Sequence, residues 1–262
     1  MTFDKGMMND DYFEKLAAKF VVLVARTVPG ELTSSIFASP LSVRNSDNCM
    51  LWHPGYRNNH RVKLFIVLSF SVFSESLKGV VRLMTNIKSF EYAIYGKIKD
   101  SILVIVSLCG IQNTNGEYKT AYVKTDKDDA LFVFGPYKSC GINSVRVENL
   151  LLTEKFLLVS SLVKSTLFAT ARLDCKISDK VLLVLKWLSW ALSLRWLHDY
   201  YLEKSLSEIV ERYNTRKIGC IHEMHSHARI VWRVAKRFKA RGYTIQHAAF
   251  SDGKRWYFCY SE

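Results

Sequence analysis

The chain has 262 residues, 49% of them hydrophobic, enough for one large or two small domains with a sizeable core and too apolar for an intrinsically disordered polypeptide. Its 37 Lys and Arg against 24 Asp and Glu leave a net charge of +13, which suits nucleic acid, anionic lipid or a phosphorylated substrate and cannot choose among them. Six cysteines without a C-x-x-C pair, several inside apolar runs, read as free thiols in a reducing cytoplasm; no N-terminal signal is visible, and no uncharged apolar run reaches membrane-spanning length.

In chain order, DYFEKLAAKFVVLVAR (11–26) predicts a helix, followed by a turn-rich segment that closes an N-terminal region at about residue 60. Three nearly continuous apolar runs come next: VKLFIVLSF (62–70), SILVIVSLC (101–109) and ALFVFG (130–135). Runs of this kind suit strands buried on both faces, as in a parallel sheet covered by helices. SESLKGVVRLMTNI (74–87) predicts a helix between the first two, and YKTAYVKTDKDD (118–129) an exposed connection.

From Glu154 to Asn214 the pattern is helical, an insertion with a soft boundary near residue 150. Its Trp-rich part, Val181 to Leu197, sets Leu183, Trp187, Trp190, Leu194 and Leu197 on one stripe. Lys186 and Arg195 interrupt that run, so it reads as a buried or interfacial helix.

The carboxyl end reads as strand RKIGCI (216–221), a His-rich loop, the helix ARIVWRVAKRFKARG stopped by Gly242, and a strand at 243–246, which together make one βαβ unit. The expected fold class is therefore α/β, an open, mainly parallel sheet flanked by helices, spanning 61–262 with the helical insertion at about 154–214.

The loop CIHEMHSHAR invites a metal reading. A zincin needs H-E-x-x-H, so that two histidines four apart reach one zinc ion, but Ser226 stands where the second histidine belongs. The H-x-H pair His225 and His227 is followed by the cation Arg229 instead of an acid, and no metal is expected.

Loops leaving the carboxyl ends of strands line the ligand crevice of open α/β sheets, so Glu223 and His247, each just past a strand, are expected on one rim. Ser226 is placed to cap the helix, and the helix N-terminus with Arg229 one turn in makes an anion site. A carboxylate, an imidazole and an anion cradle are parts for transfer chemistry on a phosphorylated donor. Neither a G-x-G-x-x-G nor a P-loop motif occurs, which removes support for dinucleotide oxidoreduction and P-loop hydrolysis.

The stretch HEMHSHARIVWRVAKRFKARGYTIQHAAFSDGKRWYF, with an acidic residue after a strand, A-R opening a helix and T-x-Q-H closing the next strand, resembles GT-B-type glycosyltransferases of surface and capsular polysaccharide assembly. More loosely, it is similar to Kdo-transferring and glycerophosphotransferase-like proteins. The resemblance covers about forty residues and implies a Rossmann-like first domain, with DALFVFGP as an inner strand. It implies transfer of a sugar from a nucleotide-activated donor to a surface glycan or lipid-linked acceptor, without a cofactor, at the cytoplasmic side of a membrane. Glu223 would be the general base and His247 a hydrogen-bond donor, with His225, Arg229, Gln246, Lys254 and Arg255 binding substrate. A GT-B enzyme has a second Rossmann-like domain, expected here on a further segment or a second chain.

Two other classes compete. Six cations and no acid between Arg229 and Arg241, and aromatic residues among cations in GKRWYFCY, fit a nucleic-acid-binding module, though no RRM, KH, zinc-finger or helix-turn-helix signature is present. A peripheral membrane protein without catalysis would use Val181 to Leu197 as its interfacial helix.

Overall fold

The computed structural model describes residues 5–39, 41, 61–84, 89–95, 98, 100–106, 112–114, 117–119, 129–134, 143–148, 150–220 and 226–244. They fall into two compact units, one of residues 1–86 and 150–198 and one of residues 87–149 and 199–262. Helices predominate, and among the described residues none is long and apolar enough to cross a membrane.

The first unit is helical: α1 (Lys5–Ala25), a 3-10 turn at Gly30–Leu32, α2 (Thr33–Phe37), α3 (Arg61–Met84), α4 (Leu152–Arg172) and α5 (Ile177–Leu192). The Trp-rich stripe is its core. Leu183 and Trp187 are fully buried, with Trp190, Leu194 and Leu197 nearly so, which removes the expectation of an interfacial helix there. Phe20 of α1 meets the Trp187 ring edge-on at 5.6 Å between centroids. The buried indole is satisfied by a relay: Trp187 Nε1 donates to Thr166 Oγ1 at 2.8 Å, and that hydroxyl donates to the Leu162 carbonyl at 2.6 Å.

The run expected as a strand at 62–70 is the first half of α3. A short apolar run does not distinguish a buried strand from a helix, and here the pattern continues at helical spacing for 24 residues. Glu75, Gly79 and Arg82, on one face of α3, dock on the turn after α5. Gly79 has no room for a Cβ beside the Leu192 carbonyl, Arg82 donates to the Ser193 carbonyl, and Arg195 pairs with Glu75 at 3.3 Å. That turn puts Leu194 at φ 58; Ser193 Oγ and Trp196 Nε1 donate to the Trp190 and Ala191 carbonyls, and α3 adds the Arg82 bond to the carbonyl of Ser193. Beside it, Leu68 packs on Leu182 and Leu185.

The second unit holds the sheet. In chain order its strands are β1 (Ser89–Tyr95), β2 (Ser101–Val106), β3 (Gln112–Thr114), β4 (Glu117–Lys119), β5 (Asp129–Phe134), β6 (Asn143–Glu148), β7 (Lys217–Cys220) and β8 (Arg241–Thr244). The main sheet has the order β6-β1-β5-β2-β7-β8, and β3 with β4 forms a separate hairpin. β5, β2, β7 and β8 are mutually parallel along the order, whereas β1 pairs antiparallel with β5 and β6. Ile102, Leu103 and Val104 are consecutive and all buried, as a strand covered on both faces requires.

Helix α6 (Trp196–Tyr213) has its first three residues in the helical unit and the rest in this one, followed here by α7 (Ser226–Arg237). Both helices end in the same closure. Asn214 at φ 49 lets Thr215 N–H reach the Val210 carbonyl at 3.2 Å, and Lys239 at φ 55 lets Ala240 N–H reach the Ala235 carbonyl at 2.9 Å. Gly242 is therefore not the stop of α7 that its sequence position suggests. It lies in β8, where a Cβ would overlap the Trp232 ring.

Candidate functional site

The site that the sequence marks is the carboxyl edge of the parallel strands. Register sets Val104, Cys220 and Thr244 level across β2, β7 and β8. Cys220 is fully buried, and its Sγ lies 3.8 Å from Thr244 Oγ1, so the last described row of this edge combines an apolar floor with two weakly polar groups. Chain order reverses here: from β2 the next parallel strand, β5, lies on one side, while β7 and then β8 lie on the other. This is the 2-1-3-4 arrangement, whose topological switch point lies between β2 and β7.

Helix α7 starts at Ser226, six residues past the last residue of β7. Its buried face is built from His227, Ala228, Ile230, Val231, Val234 and Ala235, at three- and four-residue intervals. Arg229 stands half-buried one turn into the helix. Farther along, Arg237 donates to Glu203 of α6 and lies 3.4 Å from Ser207 Oγ. Burial pushes the Arg233 guanidinium down from its ordinary range, while Glu203 acts in the opposite direction. Two of the cations in the basic run are thus set against an acid of the same unit.

Of the expected site residues, Arg229 is placed as described. Glu223, His225, Gln246, His247, Lys254 and Arg255 lie outside the described residues, as does His222. Among the described residues no group of three or more His, Cys, Asp or Glu could hold a metal ion. Two residues outside the expected site set belong to the frame of these strands. His227, only 6% exposed, is carried on the buried face of α7, and its spacing from Ile230, Val231 and Val234 is the signal that would have found it. Tyr243 hydrogen-bonds Ser101 at 3.0 Å across the intervening strand, and no local pattern announces that contact.

Comparison of the chain with models of known protein families, with curated proteins and with solved structures finds no match.

Proposed function

We propose that this chain is the acceptor-side half of a glycosyltransferase of GT-B type, whose Rossmann-like sheet unit uses Glu223 as general base toward an acceptor hydroxyl and contributes to binding the phosphate of a nucleotide-activated sugar. The observation that carries the reading is the strand reversal between β2 and β7. Glu223 is the third residue after Cys220 and His247 the third after Thr244, so both follow the carboxyl ends of adjacent parallel strands. A carboxylate within reach of a hydroxyl takes its proton as the bond to the sugar forms, and amide groups of a helix N-terminus with an arginine stabilise a departing phosphate. The acceptor is a surface glycan or a lipid-linked glycan.

The nucleic-acid reading draws on the basic run, but Arg233 and Arg237 are set against Glu203, which leaves a shorter cationic face than the sequence displays. Calorimetric titration of the full chain with UDP, GDP, ADP and CMP tests the proposal. Binding of one of them in the micromolar range, weakened about tenfold by Arg229→Ala, is the expected result. No nucleotide binding, with tight, salt-sensitive binding of single-stranded RNA instead, would replace this reading with the nucleic-acid one.

A further inference from the structure

Helix α3 carries a second apolar face that stands exposed among the described residues. Ile66, Phe70, Phe73, Leu77, Val80 and Met84 are each at least 50% exposed, Phe70 at 71% and Met84 at 80%. Their spacing is four, three, four, three, four. That is the heptad spacing of a helix-pairing seam, sustained for nearly three repeats, and it lies opposite Glu75, Gly79 and Arg82, which hold α3 to α5. We infer that α3 is a dimerisation helix that pairs along this seam with α3 of a second copy of the chain.

Three observations favour a second copy over a lipid surface. The positions flanking the seam are Val67, Ser69, Ser74, Ser76, Val81 and Leu83, none of them charged. A helix lying in a membrane interface carries cations beside its apolar face to meet headgroups, whereas here Lys78 is engaged with Glu75 at 2.7 Å and Arg82 with Ser193. The serines are small enough for two helices to approach closely. The seam residues with Val81 offer on the order of 800 Å² of exposed apolar surface per copy, close to the share that each partner contributes to a standard interface.

The test is the mass of the full chain in solution, by sedimentation equilibrium at tens of micromolar protein. The expected value is twice the 30.2 kDa chain mass, held or strengthened as sodium chloride rises and self-repulsion is screened. Phe70→Glu with Leu77→Glu gives a monomer with unchanged helical circular dichroism, while Phe156→Glu, on an exposed face of α4, leaves the dimer intact. Should the double variant lose its fold, Phe70→Ser alone is measured, with at least a tenfold rise in the dimer dissociation constant expected. A monomeric wild-type protein overturns the inference, as does a dimer indifferent to the seam substitutions. So does a monomer that sediments with vesicles of phosphatidylcholine and phosphatidylserine and is released by salt. Nucleotide binding plays no part in these readouts, so the inference stands or falls apart from the glycosyltransferase proposal.

Discussion

Tyr243 of β8 places its hydroxyl 3.0 Å from Ser101 Oγ of β2, although β7 lies between the two strands. The ring crosses β7 over Gly219, where a Cβ would overlap its carbons. One glycine and one tyrosine thus tie three parallel strands together.

Gly219→Ala is therefore expected to destabilise the protein by about 1–3 kcal/mol, the usual cost of overpacking. Tyr243→Phe keeps the ring and loses only the hydrogen bond, for about 1 kcal/mol. In the Gly219→Ala/Tyr243→Ala double variant the two effects should be less than additive, because the second change removes the obstacle met by the first. Urea unfolding of wild type, Gly219→Ala, Tyr243→Ala and the double variant measures this; strict additivity would show that the ring does not rest on Gly219.

Gly79 gives a prediction of opposite sign to helix propensity. Alanine in a helix interior is worth about 1 kcal/mol over glycine, yet at this position its Cβ meets the Leu192 carbonyl, a backbone atom that cannot swing aside. Gly79→Ala is expected to lower the melting temperature and to loosen α3, read as faster amide exchange in residues 75–84. A raised melting temperature would mean that α3 does not dock closely there.

Glu75 sets an acid limit on the helical unit. Burial pushes its carboxyl up, but the Lys78 hydrogen bond and the charges of Arg195, Lys78 and Arg82 together outweigh it and hold the carboxyl below its ordinary range. A depressed folded-state pKa contributes stability that is fully present above the unfolded-state pKa, near 4.5 for an ordinary glutamate, and lost as pH falls through the lower folded value. Glu75→Gln should thus cost about 1 kcal/mol at neutral pH, a modest figure because its partners Lys78 and Arg195 are more than half exposed. The difference from wild type should shrink as pH falls below about 4. Thermal melts from neutral to acid pH check it, and a pH-independent difference would exclude the ion pairs as its cause.

For the proposed chemistry, Glu223→Gln should lower sugar-transfer turnover about a hundredfold or more with little change in melting temperature or donor affinity. His247→Ala should weaken donor binding or turnover. Full activity in well-folded Glu223→Gln protein would remove the residue from the mechanism.

Much of the fold was legible in the chain itself. The apolar runs expected at 101–109 and 130–135, which contain most of β2 and β5, and the βαβ order of β7, α7 and β8 are written locally; the buried Ile102, Leu103 and Val104 show why, since a strand covered on both faces needs consecutive apolar residues. The Trp stripe likewise announced a core through its spacing. β1 and β6 were not anticipated: SFEYAIY and NSVRVE mix polar and apolar residues, and their antiparallel pairing, with Glu91 opposite Arg146, joins segments about fifty residues apart.

What only the tertiary structure decided is where the close approaches fall and which apolar face stays outside. In VKLFIVLSF the same β-branched and aromatic residues serve a strand or a helix, and the choice rests with distant partners: Gly79 against Leu192, Arg82 on Ser193, Leu68 on Leu182. Gly219 and Gly242 look alike in sequence, as a strand residue and a helix stop, yet each is required by one ring, Tyr243 or Trp232. A sequence pattern carries periodicity, which is a property of neighbours three or four residues apart. Which surfaces meet is set by packing between segments that the chain order leaves far apart, and that is why the exposed seam of α3 became visible only once its other face was seen to be occupied.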